Sequence, residues 1–588
     1  MLTKARQLLH TYYGYNDFRP GQEAIIHSIF NGEHTMGIMP TGGGKSVCYQ
    51  LPSLVLDGLT IVISPLISLM KDQVDEIQEH GISATYLNSS LSYEDMQERL
   101  SDVQAGKYSL LYLAPERLTA PYFLARIQSM PISLVAIDEA HCLSQWGHDF
   151  RPSYLDIPYF INQLQSEPVI LALTATATPT VAEDVCNSLG IPSVNIVKTG
   201  FARDNLAFTV IKGQDRDAYI QNYVENNQNE SGIIYATTRK EVERIAHRLK
   251  AKGFHAGYYH GGMEANARAE SQEAFVYDEI NVMVATNAFG MGINKPDVRY
   301  VIHAQIPRTM EAYYQEAGRA GRDGENSDCI LLFSPQDIQI QQFLLDQSQL
   351  DEHRKANEFR KLREMVNYCH TESCLQAYIL DYFGEEAPAD CKRCFHCTDE
   401  RNVIDVTKDA QMVLSCIKRM KERFGKTIIA QVLTGSGNQK IKDLRFDQLS
   451  TYGLMKGESQ KAVVAFIDFL TAHRYLTLTQ GQYPVLQLSE KSVTILKGEQ
   501  KVMKKEDATA KAQATDDDPL FHRLRELRTV LAKKHKIAPY MVFSDQTLKE
   551  MSGKQPATKA DMLAIKGVGE HKYEAYGEDF LVEIHGVL

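Results

Sequence analysis

The sequence predicts a multidomain chain, with α/β parallel-sheet architecture over its first 340 residues and mostly helical domains beyond. Three observations carry this. Short continuous apolar runs alternate with amphipathic stretches, and the alternation occurs twice. A cysteine cluster follows in a charged, helix-like setting. Further helix-like segments then lead into a strand pair and, after a polar stretch, into a last helical block. At 588 residues the chain is too long for one core, and length alone suggests about four domains.

In the first domain, expected over 1–202, the apolar runs are Thr60-Ile61-Val62-Ile63-Ser64, Leu110–Leu113, Leu134–Ile137 and Val169–Leu173. Strands covered on both faces read as unbroken apolar runs, so these fit buried parallel strands. Between them Leu66–His80 is amphipathic. The pattern restarts in a second domain, expected over 203–340, with Gly232–Tyr235, Ile280–Thr286, Val298–His303 and Cys329–Phe333. The join is expected near 195–208.

Residues 337–383 are helix-like and charged, and a helical metal-binding domain is expected over 341–405. Over 406–496 helices precede Tyr475–Thr479, a Gln480-Gly481-Gln482 turn and Tyr483–Leu488. Helices followed by a hairpin suggest a winged helix. Lys497 to Asp518 has few large apolar residues and reads as a flexible linker, 497–515. Asp516-Asp517-Asp518-Pro519 is a helix start for a last all-α domain, 516–588.

Hydrophobic content of 44% and charged content of 23% are those of a soluble globular protein. No apolar run reaches bilayer length, and Met1-Leu2-Thr3-Lys4-Ala5-Arg6 lacks the apolar stretch of a signal peptide. An intracellular protein with no membrane partner is expected. Its 63 basic and 74 acidic side chains leave a net charge of −11. That total does not exclude nucleic acid, which needs only a local basic surface. Ten cysteines in this length form no disulfide scaffold, and a metal-like cluster suits a reducing compartment.

Two segments imply triphosphate chemistry. Pro40-Thr41-Gly42-Gly43-Gly44-Lys45-Ser46 is a glycine-rich turn whose N–H groups can close on phosphate oxygens without Cβ obstruction. Lys45 reaches the β/γ-phosphates and Ser46 offers a hydroxyl to Mg²⁺. The general phosphate-loop pattern has Gly six residues before the Lys, where this chain has Met39. After the strand ending at Ile137 come Asp138-Glu139-Ala140-His141. Asp138 can hold the Mg²⁺ through its water shell, and Glu139 can polarise the attacking water. A chance Gly-rich turn is the alternative for the loop alone, and the acidic box downstream weighs against it.

Upstream, Tyr15, Arg19 and Gln22 are suited to holding adenine. A ring stacks on the base, and a Gln amide donates and accepts at once. Core packing of Tyr15 and Phe18 is the alternative. The second domain ends in Gln315-Glu316-Ala317-Gly318-Arg319-Ala320-Gly321-Arg322-Asp323-Gly324. Arg319 and Arg322, three apart among glycines, can set two guanidinium groups against the γ-phosphate. A solvated basic helix explains the glycines less well. If both domains contribute, ATP sits between them and its turnover opens and closes the cleft.

Ser144-Gln145-Trp146-Gly147-His148-Asp149-Phe150-Arg151-Pro152 holds the chain's one Trp in a short loop. Trp146 and Phe150 offer π-faces for bases, Arg151 can contact phosphate or stack, and Gln145 and His148 can relay that contact. A buried core Trp is the alternative. The hydroxyls of Ser64, Thr174, Thr176, Thr237, Thr238 and Thr286 can bond one nucleic-acid backbone strand or else cap helices.

Cys391-Lys392-Arg393-Cys394-Phe395-His396-Cys397, with Cys374 upstream, has tetrahedral zinc spacing. Cys369, His370 and His396 compete with Cys374 for the fourth place, although spacing favours Cys374. An iron–sulfur cluster also uses dense thiols. In the winged-helix region Lys440, Lys442 and Arg445 could grip duplex DNA, or the module could dock protein. In the last domain Phe521–Arg528 is basic, and Gly567-Val568-Gly569 could present N–H groups to a phosphate. Helical packing fits that turn equally well.

Phe18–Gln22, Met39–Ser46, Ser64–Gln73, Asp138–Cys142, Leu173–Ala177, Ala288–Lys295 and Gly318–Gly324 together resemble the ordered motif series of a RecQ-family DNA helicase. The resemblance runs from about Leu8 to the C-terminus and makes Met39 expected. It implies two RecA-like lobes, a zinc-binding domain with Cys374 as the fourth ligand, a winged helix and a helicase-and-RNase-D C-terminal (HRDC) domain. It implies ATP, Mg²⁺ and Zn²⁺ as cofactors, and an aromatic loop that couples DNA contact to hydrolysis. The implied activity is ATP-dependent 3′→5′ unwinding of single-stranded, forked or partial-duplex DNA in recombination, repair and replication-fork processing. A single-strand-binding protein is a family-based expectation for a partner. A monomer acting in the cytoplasm, on the nucleoid, is the expected setting.

Overall fold

The computed structural model describes residues 1–65, 67–79, 81–89, 91–290, 295–479, 485–505 and 519–585. Of the motifs quoted above, Leu66 and Met291–Asn294 lie outside the described residues. So do the turn 480–484 and the linker residues 506–518.

Lobe 1 is built on a seven-stranded parallel sheet. Its strands are β1 (Thr35–Ile38), β2 (Leu59–Ile63), β3 (Ala84–Leu87), β4 (Leu110–Leu113), β5 (Ile132–Ile137), β6 (Val169–Thr174) and β7 (Ile196–Lys198), in the order β3-β4-β2-β5-β6-β1-β7. Lobe 2 has six strands: β8 (Leu206–Lys212), β9 (Ser231–Tyr235), β10 (Ala256–Tyr259), β11 (Val282–Ala285), β12 (Val298–His303) and β13 (Ser327–Phe333), in the order β10-β11-β9-β12-β13-β8. Every strand pairing in both sheets is parallel. The join is therefore 199–205, between β7 of one sheet and β8 of the other.

Register decides what the sheet presents. Ile38 pairs with Thr174, Ile137 with Ala172 and Ile63 with Ile137. The segments after β1, β2, β5 and β6 therefore leave one edge side by side. Carboxyl ends of parallel strands are where such sheets bind ligands. β1 carries Gly37 because a Cβ there would lie 2.7 Å from both Ile25 and Leu173.

Beyond lobe 2 come helices Pro335–Asp346, Glu352–His370 and Leu375–Tyr382. They share the lobes' apolar core. The Phe383 ring stacks on Phe201 of the join at 4.3 Å, and the Tyr314 hydroxyl donates to the Phe201 carbonyl. The next domain has its own core, formed by helices Thr407–Arg419, Lys426–Leu433, Gln439–Asp443 and Gln460–Ala472 and by an antiparallel pair, Leu476–Leu478 with Leu486–Leu488. The last domain is helical, with a core of its own.

The linker expected from Lys497 needs correction. Residues 497–505 are part of the fold: Val502 is fully buried, and Met503–Lys505 pairs antiparallel with Val403–Asp405. The Lys505 ammonium donates to the His396 and Asp399 carbonyls, which ties this strand to the cysteine region. One apolar side chain and a short ladder suffice to order a segment whose composition looks unstructured.

Candidate active site, nucleic-acid interface and metal centre

The phosphate loop follows β1, and its backbone takes the left-handed conformation at Gly42 (φ 82°) and Gly44 (φ 75°), where a side chain is strained. The space is filled as well. A Cβ on Gly44 would lie 2.5 Å from the Gln22 amide, and one on Gly42 would lie 3.3 Å from the Arg322 side chain. Arg322 of lobe 2 thus packs directly on the phosphate loop of lobe 1. Lys45 donates to the Met39 carbonyl at 3.4 Å, and Ser46 accepts from Gln73 at 3.4 Å.

Asp138 and Glu139 lie where β5 ends. The Asp138 N–H donates to the Ile63 carbonyl, and the Tyr154 hydroxyl donates to the Asp138 carbonyl. Glu139 has φ 49°, a strained value for a residue with a Cβ, and its N–H donates to the Asp138 carboxylate. Burial, with the Glu139 charge beside it, pushes Asp138 up to about 7. Burial lowers Lys45, against the pull of Glu139 and Asp138. Burial, then Arg319 and Arg203, push Arg322 down to about 9. Half-buried cations and a buried carboxylate forced toward neutrality are what a polyanion with a divalent cation relieves. Asp138 and the Ser46 hydroxyl fit such a cation as oxygen donors.

The remaining expected nucleotide residues are distributed differently. Arg19 donates to the Gly42 carbonyl at 2.5 Å and lies 6.0 Å from the ring of Tyr15, which is 37% exposed. Gln22 does not present a free amide for adenine. Its Nε2 donates to the Gly44 carbonyl at 2.9 Å, and its Oε1 accepts from the Arg19 N–H at 2.9 Å. The carbonyls of Gly43 and Thr41 are taken by Gln22 and Arg203. Arg319 is buried and donates to the Gly290 carbonyl. Gln315 faces lobe 1, 3.4 Å from His148 Nε2.

That last contact completes a path. Glu139 is 3.3 Å from His141, whose Nδ1 is also 2.9 Å from the Thr174 hydroxyl. The His141 ring stacks on His148 at 4.4 Å. Burial holds both rings at about 4, so both are neutral near pH 7. The path runs from the acidic box, through the start of the aromatic loop, to lobe 2.

The aromatic loop is partly open and firmly held. Trp146 is 37% exposed, and its ring edge meets His353 at 5.4 Å. Arg354 stands over Phe150 at 4.6 Å. Buried Lys361 donates to the Trp146 carbonyl at 2.7 Å. All three partners belong to the helix Glu352–His370. Gln145 is exposed. Arg151 is engaged within lobe 1, donating to Asp149 at 3.1 Å and to the Pro65 carbonyl at 2.8 Å. Here it braces the loop, because a carboxylate two residues away outcompetes solvent. Among the hydroxyls, Thr238 caps a helix by accepting from the Glu241 N–H, and Ser64, Thr174 and Thr176 are buried.

The thiols of Cys374, Cys391, Cys394 and Cys397 lie within 4.8 Å of one another. Individual S–S separations of 3.4, 3.8 and 3.9 Å are far too long for disulfides and match the edges of a tetrahedron around zinc. Backbone N–H groups of Leu375, Ala377 and Cys394 donate to these sulfurs, as thiolates require. Cys374 is thus the thiol that joins Cys391, Cys394 and Cys397 in the cluster. Cys369 lies in the apolar core, and His370 packs on Phe333.

In the distal domains Lys440, Lys442 and Arg445 are exposed. Part of the basic run at 521–528 is turned inward instead: Arg528 is fully buried, donating to Asp545 at 2.8 Å and lying 3.4 Å from Asp297 of lobe 2. Arg203 is a residue that sequence reasoning missed, and no motif marks it. Among the described residues no helix is long and apolar enough to cross a membrane.

Family models match the chain in order. They are DEAD/DEAH box helicase over residues 19–185, helicase conserved C-terminal domain over 215–324, RecQ zinc-binding over 335–398, RQC domain over 400–513 and HRDC domain over 517–584. The chain is 54% identical to the ATP-dependent DNA helicase RecQ of Bacillus subtilis (strain 168) over 99% of each chain. It is 41% identical to the ATP-dependent DNA helicase RecQ of Pasteurella multocida (strain Pm70), over 98% of this chain and 93% of that one. It is 36% identical to a putative ATP-dependent RNA helicase, R290, of Acanthamoeba polyphaga mimivirus, over 84% of this chain and 92% of that one.

Proposed function

The chain belongs to the RecQ family of ATP-dependent DNA helicases, and from that premise we propose that its two lobes hold one ATP at their seam and turn its hydrolysis into 3′→5′ travel along a DNA strand. The N–H groups of Thr41–Ser46 and the Lys45 ammonium hold the phosphates. Ser46 and Asp138 would hold Mg²⁺, which supplies charge neutralisation when bound. Glu139 orients and polarises the attacking water, and Arg322 meets the charge that builds on the γ-phosphate. Tyr15 and Arg19 border the adenine side, where Gln22 acts by fastening the loop. Gln315 ties lobe 2 to lobe 1 through His148, and Arg319, held on the Gly290 carbonyl within lobe 2, adds positive charge beside Arg322. The observation that carries this reading is Arg322 packed on Gly42, with Glu139 close enough to influence its charge.

Trp146, Phe150, Gln145, His148 and Arg151 form the DNA-sensing loop. The path from His148 through His141 to Glu139 gives DNA contact a physical route to the water-activating carboxylate. Zinc on the four cysteines has no open position and serves folding. Forked or partial-duplex DNA in recombination, repair and fork processing is the proposed substrate. A monomer acting in the cytoplasm at the nucleoid, with a single-strand-binding protein as partner, is the proposed setting.

ATP-dependent strand displacement on forked, tailed and blunt duplexes of both polarities tests this, with RNA and DNA compared as ATPase activators. Displacement confined to 3′-tailed or forked DNA, with DNA the stronger activator, is expected. Displacement only from 5′ tails, or stronger activation by RNA, overturns the proposed polarity or track.

A further inference from the structure

Arg203 stands on the join between the lobes, three residues before β8. All five of its guanidinium N–H donors have acceptors, which is the full capacity of the group. Nη1 donates to the Thr41 carbonyl at 2.8 Å and to the Gly318 carbonyl at 3.4 Å. Nη2 donates to the Ala320 and Gly321 carbonyls at 3.1 and 2.8 Å. Nε donates to the Asn205 side-chain oxygen at 3.3 Å, and the Asn205 amide in turn donates to the Gly321 and Glu325 carbonyls at 2.8 Å.

These acceptors are not scattered. Gly318, Ala320 and Gly321 form the turn that leaves the helix Met310–Ala317 and leads into Arg322. A helix C-terminus presents carbonyls that no intrahelical donor reaches, with partial negative charge. Arg203 takes up the carbonyl of the C-cap Gly318 and those of Ala320 and Gly321 in the turn beyond it, and so sets the path of that turn. Its remaining contact, Thr41, belongs to the phosphate loop of the other lobe. Gly318 itself lies against the phosphate loop, where a Cβ would stand at ordinary contact distance, 3.5 Å, from the Thr41 side chain. One rigid fork therefore touches both banks of the cleft, and three of its acceptors belong to the arm that carries Arg322.

We propose that Arg203 is a positioning residue for ATP hydrolysis: it holds the Gly318–Gly321 turn and registers it on Thr41, so that Arg322 reaches the phosphate loop only when the lobes are closed. The Arg203 donors are engaged by backbone carbonyls and Asn205, so its effect passes through Arg322. A lysine cannot replace it, because a single ammonium has three donors on one atom and cannot span the turn and Thr41 together.

Steady-state DNA-stimulated ATPase of the full-length R203A, R203K, R322A and R203A/R322A proteins tests this, with thermal melting as the check on folding. Misplacing a catalytic arm by about an ångström lowers kcat by at least about tenfold, so R203A is expected to lose that much, with KM for ATP within about threefold of the parent. The double variant is expected to be no slower than R322A alone, within about twofold, because residues acting as one unit are not additive. R203K, which keeps the charge and the stem and so protects the fold, is expected to be as slow as R203A. A folded R203A or R203K with parental kcat overturns the proposal, and so does a double variant slowed by the product of the two single effects. If R203A melts early, R203K decides alone.

Discussion

Two seams of this molecule are built from arginines, and they treat charge in opposite ways. At the seam between the lobes, the hydrogen bonds of Arg19, Arg203 and Arg319 go to neutral oxygens: the carbonyls of Gly42, Thr41, Gly318, Ala320, Gly321 and Gly290 and the Asn205 side-chain oxygen. Arg322 beside them is pushed down to about 9 by burial and by two neighbouring arginines. At the seam between lobe 2 and the last domain, carboxylates alternate with cations. Lys295 lies 3.2 Å from Asp297, Asp297 lies 3.4 Å from Arg528, and Arg528 lies 2.8 Å from Asp545. Asp545 lies 3.7 Å from Arg299, which also pairs with Asp323. Arg299 is buried, yet Asp323 and Asp545 outweigh that burial and hold it above its ordinary value. A joint that neutralises itself needs no ligand, whereas one left positive asks for an anion. That difference separates the fuel site from a structural dock more cleanly than the count of arginines does.

The largest way to break the comparison is Arg322→Ala. If the first seam exists for an anion, DNA-stimulated kcat falls by about a thousandfold while ATP-analogue affinity changes only a few-fold, the behaviour of an arginine finger. Lys45→Ala is expected to remove ATPase and strand displacement together. Retained displacement by Lys45→Ala would mean that fuel is not taken up at this seam. Unimpaired turnover by Arg322→Ala would deny that the positive charge there serves catalysis.

A smaller effect tests the second seam. Asp297→Asn removes a carboxylate that Lys295 and Arg528 both face. Breaking a buried pair on one side costs about 3–5 kcal/mol. Hydrogen exchange over Pro519–His535 is expected to accelerate by at least tenfold, with DNA-free ATPase kcat within about threefold of the parent, since additivity holds between separate sites. Equal loss of ATPase would mean that the two seams are one mechanical unit.

The sequence made one seam legible and hid the other, for a physical reason. Gly42, Gly44, Lys45, Asp138 and Arg322 are readable because each stands in a short motif (a glycine-rich turn, an acidic box, an arginine pair among glycines) whose residue types suit phosphate chemistry. The four thiols are readable on the same ground. Arg528 is as basic in the sequence as any DNA-facing arginine, and only its partners, distant along the chain, show that it is buried. Arg203 bonds backbone carbonyls, which every residue has, so nothing local marks it. The central strands were legible as continuous apolar runs. Strand β8 was not, because it forms an edge and alternates buried with half-exposed residues. Val502 escaped because a single apolar residue carries no period.

The smallest predicted effect sharpens the second seam through pH. Asp323, next to Arg322 in sequence, is pushed up to about 6 by burial and by the Asp545 charge, against the pull of Arg299. Its backbone-bound oxygen accepts from the Glu325 N–H, which also favours the charged form. Release of the last domain takes away Asp545 and part of the cover, so Asp323 moves back toward its ordinary 3.8. The docked state therefore binds more protons than the released state between about pH 4 and 6, and linkage makes docking stronger as pH falls through about 6. Hydrogen-exchange protection of Pro519–His535, corrected for the intrinsic pH dependence of exchange, is expected to rise about three- to tenfold from pH 7.5 to 5.5. Asp323→Asn, neutral throughout, is expected to flatten that rise. Protection that instead falls on acidification would mean that the Arg299 pairing outweighs burial, so that Asp323 holds the dock through its charge and not in spite of it.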